Sequence, residues 1–484
     1  MKKGTAVLVL IFAGTLSFLM HYRQLGKELM SIHVWRQTQT QSTINNFYEE
    51  DFNILNPARN ERGAGDGIFR MEFPLMQWLM ALLYKIFGSH LLITRLFMFV
   101  TGLFTVTGLY ILIRAVLGRD LPAAIGAWAF TFSPAFYYYT INPIPDVFAL
   151  CFSVWGLALF FAQMKHPSNL RLFLSGLFLS IGTLVKLPFI LYYSVPAVYF
   201  ILQITEKGLS RKLVLKAITV FIFLGLPAAW YIYVIPQWNN GIVGGMLDNH
   251  ASFTTIMDYL QHNLISTLPE LLLNYGALPF FIAGFYFIAR TKAFRSPVFI
   301  MLAISGIAVL AYFFFEINMI AKIHDYYLFP FYPLLFLIVA YGAYRLIMTG
   351  KPTWRYLSLV LLILLPVTAY LRMKNRWNPD SPGFNRDLLV YKDDLRNAVP
   401  DNALVVTGND ISHYIFFYYI HKKGWGFDDD DLRPDRLSSM INEGARYLYS
   451  DSRKVDRDPA IIPYLDTLVL HKGTIMIFRL KEPD

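Results

Sequence analysis

Five short segments carry polar side chains of types that could do chemistry, and each stands where an apolar run breaks. The first reads His33-Val34-Trp35-Arg36-Gln37-Thr38-Gln39-Thr40-Gln41. At helical spacing His33, Arg36, Gln37 and Thr40 share one face. Uncharged donors beside one Arg and one His suit sugar hydroxyls and a phosphate; the alternative is a surface helix resting on lipid headgroups. The second holds Glu49-Glu50-Asp51 and, further on, Arg70-Met71-Glu72-Phe73-Pro74. A carboxylate at Glu72 could take a proton from a sugar hydroxyl or bind one; otherwise it is a helix N-terminal charge favoured by the dipole. The third, Asn142-Pro143-Ile144-Pro145-Asp146, contains the sole acid between Asp120 and Glu206. An isolated acid at a membrane boundary is expensive without a partner, unless it caps a helix. The fourth is Lys186, a point charge for a phosphate or a side chain snorkelling to headgroups. Arg95 is open in the same way, with packing favoured. The fifth, Lys322-Ile323-His324-Asp325-Tyr326-Tyr327, is dense in polar groups, although each Tyr alone is ordinary in an interfacial belt.

The elements that must position these groups are mostly membrane helices. Of 484 residues 55% are hydrophobic and only 16% charged, against about 25% charged in a typical soluble chain. A disordered protein is excluded and an integral membrane protein expected. A spanning helix needs roughly 20 apolar residues. The runs that fit are Thr5–Met20, Leu91–Ile113, Leu121–Tyr139, Val147–Met164, Leu170–Val185, Phe189–Ile204, Leu213–Ile235, Leu268–Ala289, Val298–Phe315, Tyr327–Ile347 and Tyr356–Leu371, about eleven in all. The stretch Phe73–Gly88 is too short to span and is expected to lie in the interface.

Charge tests this arrangement independently. The segments placed on one side hold sixteen basic residues, from Lys2 to Arg355, against the two acids Asp120 and Glu206. The other segments are close to balance. The net charge of +10 is thus an orientation signal, and nucleic acid is not an expected partner. The N-terminus is placed in the cytoplasm and the C-terminus outside the inner (plasma) membrane. All five segments then converge on the outer face.

Two domains are expected: residues 1–372 in the membrane, with a long first outer loop over about 21–90, and 373–484 outside it. A second outer loop runs from Pro236 to about Thr267. In the C-terminal part Ala403–Thr407, Arg446–Tyr449, Thr467–Leu470 and Ile475–Leu480 read as strands and Ile411–Ile420 as a helix, which makes a small α/β domain. Asp428–Asp431 is read as a solvated turn. The single cysteine, Cys151, excludes an internal disulfide and a Cys-based zinc site. There is no Walker A pattern, no G-x-G-x-x-G and no internal repeat.

The long first loop, the stretch Glu72-Phe73-Pro74-Leu75-Met76-Gln77-Trp78-Leu79 with Tyr84-Lys85-Ile86-Phe87-Gly88, the pair Pro145-Asp146, Lys186, and His324-Asp325-Tyr326-Tyr327 together resemble the GT-C glycosyltransferases. The branch they most resemble is that of lipid A aminoarabinose transferases and protein O-mannosyltransferases. The resemblance covers the membrane part and extends to an outer C-terminal α/β domain. It implies transfer of a sugar from a polyprenyl-phosphate donor to a hydroxyl of a lipid, glycan or protein acceptor. Lys186, Arg36 and Arg95 would then bind the donor phosphate, and Trp35, Gln37, His324, Asp325, Tyr326 and Tyr327 the substrates. Relatives carry an acid early in the first loop, in an Asp-Glu-x-Arg-Tyr pattern. Alignment on Arg36 puts His33 at that Asp and Val34 at the Glu. The base is therefore His33, for which an imidazole is suited, or a loop acid, Glu72 or Asp51, with Asp146 assisting. No cofactor is required, and no metal, although His33 and His324 are side chains able to bind one. A transporter of lipid-linked sugars, or a non-catalytic envelope assembly subunit, is the alternative.

Overall fold

The computed structural model describes residues 3–63, 65–238 and 251–481. It divides into two compact units, one of Met1–Gly26, Met71–Phe73 and Thr94–Met373, the other of Lys27–Arg70, Pro74–Ile93 and Lys374–Asp484.

The first unit is helical. Among the described residues eight helices are long and apolar enough to cross a membrane: Gly4–Gln24, Leu91–Leu117, Pro145–Lys165, Leu187–Lys207, Arg211–Gln237, Pro297–Phe315, Asp325–Ile347 and Pro352–Trp377. The other three expected spans are present as shorter apolar helices, so a count of eleven does not follow from length. The run 121–139 breaks into Asp120–Thr131 and Pro134–Tyr139, because the residue before a proline is pushed out of the helical region. The helix Asn169–Val185 ends at Lys186, whose backbone is extended, two residues before Pro188. The run 268–289 yields Leu278–Arg290, preceded by a π-helix, Asn263–Leu272, and by Asn274 in the left-handed region. Of the loop expected over 236–267, residues 239–250 lie outside the described residues and Phe253–His262 is helical.

Helices Pro145–Lys165 and Asn169–Val185 form a tight antiparallel hairpin. Ser168 caps the second by accepting from the Arg171 amide. Small residues let the backbones approach: a Cβ at Gly156 would lie 2.7 Å from Leu179 Cγ, and Ser175 Oγ donates to Gly156 O at 2.8 Å. Antiparallel packing brings the start of one helix beside the end of the other. Asp146 and Lys186 occupy those two positions.

The second unit is built on a five-stranded sheet of order β2-β1-β3-β5-β4, with β1 Leu404–Gly408, β2 Lys423–Gly426, β3 Ala445–Ser450, β4 Leu465–Lys472 and β5 Ile475–Leu480. β1 pairs in parallel with β2 and β3; β5 is antiparallel to β3 and β4. Four of these are the strands expected from sequence. β2 is additional: Lys-Gly-Trp-Gly has no β-branched residue to announce it, and a Cβ at Gly424 would collide with the Val405 backbone. The expected helix at 411–420 is shorter, Ile415–Ile420, because Asp410 takes the Ser412 and Phe416 amides into a turn. Asp428–Asp431 is a turn closed by Asp431 N–H to Asp428 O at 2.9 Å. Helices Val34–Glu49 and Leu75–Phe87 belong to this unit. Leu29, Val34, Phe416, Phe417, Tyr419, Ile475 and Ile477 share its core.

Candidate active site

The tripeptide Met71–Phe73 is held against the membrane helices by main-chain contacts. Phe73 N–H donates to Leu184 O at 3.3 Å, Trp230 Nε1 donates to Met71 O at 3.0 Å, and the Phe73 and Trp230 rings meet edge to face. This places Glu72 over the end of Asn169–Val185. Lys186 Nζ lies 2.8 Å from Glu72 Oε1 and 3.8 Å from Asp146 Oδ1. It also stands 5.0 Å over the Tyr327 ring. All three charged side chains are nearly sequestered, with exposures of 10% for Lys186, 13% for Glu72 and 2% for Asp146. Lys186 therefore does not snorkel. Asp146 is not the helix cap, which is Ile144; it sits in the first turn, where the dipole also favours its charge.

Arg95 is fully buried. It donates to Ile141 O at 3.0 Å and to Asn142 Oδ1 at 2.9 Å, and Asn142 donates to Tyr138 O. Arg95 thus staples the turn that leads into Asp146. Asp325 accepts from the Tyr139 hydroxyl at 2.7 Å, and Tyr326 packs edge to face on Tyr139. His324 is bonded through Nδ1 to Met319 O and packs on Tyr327. Tyr312 donates to Tyr327 O at 3.2 Å.

A cavity of about 630 Å³ opens beside this cluster. Leu187, Ile190, Leu191, Ala308 and Phe315 make it apolar, while Glu72, Lys186 and Glu316 supply charge. Glu316 was not singled out in the sequence. The signal was available: it is an acid at the end of an apolar run, as Asp146 is at the start of one. Burial holds its carboxyl above the usual carboxylate range, and the Lys186 charge pulls the other way.

The remaining site candidates belong to the second unit. His33 occupies the N-cap position of the helix Val34–Glu49 in the left-handed region, φ 54°, with no capping bond from its side chain, and is buried. Arg36 is buried and donates to Gln39 Oε1. Gln37 donates to Ile32 O at 3.0 Å, and Trp35 packs on the core of the unit. Polar from Arg36 to Thr43, this helix is nevertheless largely buried. Asp51 is exposed and closes a turn. It accepts from Asn56 Nδ2 at 2.8 Å and from the Asn53 amide at 2.9 Å, and these bonds hold its carboxyl below the usual range. Among the described residues no group of three or more His, Cys, Asp or Glu side chains is placed to hold a metal ion.

Residues 72–231 match the family model described as dolichyl-phosphate-mannose-protein mannosyltransferase. The match begins at Glu72 and contains Asp146 and Lys186. The crystal structure of ArnT from Cupriavidus metallidurans bound to undecaprenyl phosphate superposes with a TM-score of 0.68, at 15% identity over 99% of this chain and 98% of that one. The chain has the GT-C glycosyltransferase fold. The oligosaccharyltransferase of Archaeoglobus fulgidus in its apo form shares it at TM-score 0.60 and 14% identity, over 93% of this chain and 70% of that one. A curated relative, an uncharacterized protein of Aquifex aeolicus, is 26% identical over 162 residues, 33% of this chain and 32% of that protein. The chain therefore spans about a third of the length of that relative.

Proposed function

We propose that this GT-C protein transfers a sugar from a polyprenyl-phosphate donor to an acceptor hydroxyl at the outer face of the cell membrane. The observation that carries the reading is a buried ammonium, Lys186, at the charged end of an apolar cavity. An apolar wall suits an isoprenoid chain, and a sequestered cation suits the phosphate to which it is joined. That a structural neighbour is bound to undecaprenyl phosphate supports the same donor class here. Acids and an arginine without a nucleotide loop favour a lipid-borne donor over a nucleotide sugar.

The chemistry asked of the residues is limited. The acceptor oxygen bonds to the anomeric carbon, and its proton passes to a base. The bond from that carbon to the phosphate oxygen breaks, and polyprenyl phosphate leaves with the electron pair. Lys186 stabilises the negative charge that accumulates on the phosphate. Glu72 and Asp146 hold the ammonium in place before donor binding, and Asp146 also orients the sugar. His33 is the proposed base, with Glu72 the next candidate; Asp51, committed to its turn, is third. Arg36 is a second candidate for the phosphate. Arg95 acts as a positioning residue, since its guanidinium is engaged with the 141–142 turn.

Purified protein in proteoliposomes with labelled polyprenyl-phosphate sugar tests this. Label moving to an acceptor supports transfer. Label crossing the bilayer without a change of carrier would make the protein a transporter, and no movement at all would leave an assembly role.

A further inference from the structure

A cleft of about 440 Å³ lies wholly within the second unit, and the transfer chemistry above makes no use of it. Its volume is within the usual range for small-ligand sites, roughly 300–1,000 Å³. Gln41, Asn45 and Glu49 line it; at spacings of four they share one face of the helix Val34–Glu49. Arg396, His421 and Lys422 line it from the C-terminal segment.

Each of the three acids that line the cleft is paired with a basic side chain. Glu28 pairs with Lys392 at 2.5 Å, Glu49 with His421 at 3.4 Å, and Asp401 with Lys422 at 3.0 Å. Arg396 donates Nε to Tyr419 O at 2.7 Å. The Lys422 side chain is 1% exposed and that of Asp401 97%, so the ammonium is in the wall and the carboxylate at the rim. Gln41 donates Nε2 to both Asn45 Oδ1 and the Tyr84 hydroxyl at 2.9 Å. Its Oε1 meets no hydrogen-bond donor among the described residues, a state that is costly for a buried amide.

This pattern selects a class of ligand. An anion would meet three carboxylates, Glu28, Glu49 and Asp401, in the same cleft as Arg396, His421 and Lys422. A cation would find every carboxylate paired. An apolar chain would strip water from the ion pairs and return nothing. An uncharged group whose hydroxyls both donate and accept can bond to carboxylates, amides and cations together. We infer that this cleft binds a neutral, polyhydroxylated glycan segment. That the glycan belongs to the acceptor rests on the transferase reading; the binding itself does not.

The test uses the full-length protein in nanodiscs and saturation-transfer NMR with soluble probes. The probes are maltotriose, mannotriose, cellotriose and N,N′,N″-triacetylchitotriose, with trigalacturonate as the charged control. At least one neutral trisaccharide should bind, and trigalacturonate should not. Glu49→Ala combined with His421→Ala should weaken that binding tenfold or more. Both side chains are partly exposed, so the fold should tolerate the change, and Asn45→Ala provides a second, independent variant. Absence of binding by every neutral probe, equal binding of the charged one, or undiminished binding by both variants would overturn the assignment. Trisaccharide binding without label transfer would remove the transferase reading and leave the cleft; label transfer without trisaccharide binding would do the reverse.

Discussion

The ammonium of Lys186 lies 2.8 Å from the carboxylate of Glu72, 114 positions away in the sequence. Both are sequestered, and Asp146 completes the group at 3.8 Å. The one ammonium thus lies within ion-pair distance of both carboxylates. Lys186 is thus both a structural counter-ion and the proposed phosphate ligand, and substitutions should separate these roles.

Lys186→Ala removes a sequestered ammonium that both acids face. Removing one partner of a buried ion pair costs about 3–5 kcal/mol, so a marked fall in Tm is expected together with loss of most activity. Lys186→Arg should keep the stability and part of the transfer. Lys186→Met with Glu72→Gln removes charge from both sides and should recover Tm without recovering transfer. Normal turnover in that double variant would reduce Lys186 to a counter-ion.

Asp146→Asn changes charge with little change of shape. If Asp146 orients the donor or assists proton transfer, turnover should fall by roughly 10²–10⁴, the usual scale for a lost acid–base group, with Tm nearly unchanged because Glu72 still pairs with Lys186. Near-normal turnover would restrict Asp146 to charge balance.

Glu316 gives a pH dependence whose sign follows from its environment. Burial raises its carboxyl pKa, so it stays neutral at pH values where ordinary carboxylates are ionised. As pH rises through its titration the cavity, also lined by Glu72, Lys186, Tyr312 and Tyr327, gains a negative charge. An anionic phosphodiester lipid should then bind more weakly, by roughly fivefold on a Coulomb estimate. Glu316→Gln should abolish that dependence and keep the tighter, low-pH affinity. Titration of a fluorescent phosphodiester lipid against both proteins measures it; an unchanged slope in Glu316→Gln would assign the dependence elsewhere.

The charged residues of the Lys186 cluster stood out singly in the sequence because charge is rare in apolar surroundings and needs a reason. Asp146 and Lys186 were visible one at a time, but their proximity depends on the close hairpin through Gly156 and Ser175, which one sequence does not display. Arg95 was read as ambiguous, and its bonds to Ile141 and Asn142 could not be foreseen from an arginine in an apolar run. Glu316 escaped because it follows the apolar run without the flanking prolines that mark Asp146. In the second unit, the polar face of Val34–Glu49 was equally suited to lipid headgroups and to burial beside protein. Composition cannot tell these apart, since both reward hydrogen-bonding side chains. β2 was missed because glycine, required there by the neighbouring backbone, is the residue least expected in a strand.

Orientation has its own test. Because basic residues are concentrated on one set of segments, an alkaline-phosphatase reporter fused behind the C-terminal sheet should be active outside the cytoplasm. Activity of a cytoplasm-dependent reporter at that position would invert the proposed topology and move the Lys186 cluster away from any outer-face acceptor.

The remaining prediction concerns His33, which stands where similar glycosyltransferases carry an acid. His33 occupies the cap of Val34–Glu49 with φ 54°. Asp and Asn tolerate that region better than most residues, and both are favoured helix caps. His33→Asp should therefore fold at least as well as the parent, and His33→Asn should do so without supplying a base. If His33 takes the acceptor proton, the Asn variant should be nearly inactive while its Tm is maintained. The Asp variant should regain transfer, because its carboxylate can take the proton in place of the imidazole. A structural cap predicts a different pair of results: both variants fold, and both transfer at the parental rate with the parental pH profile. That outcome would remove His33 as the base and make Glu72 the next candidate. Glu72→Gln in the His33→Asn background would then have to eliminate what transfer remained.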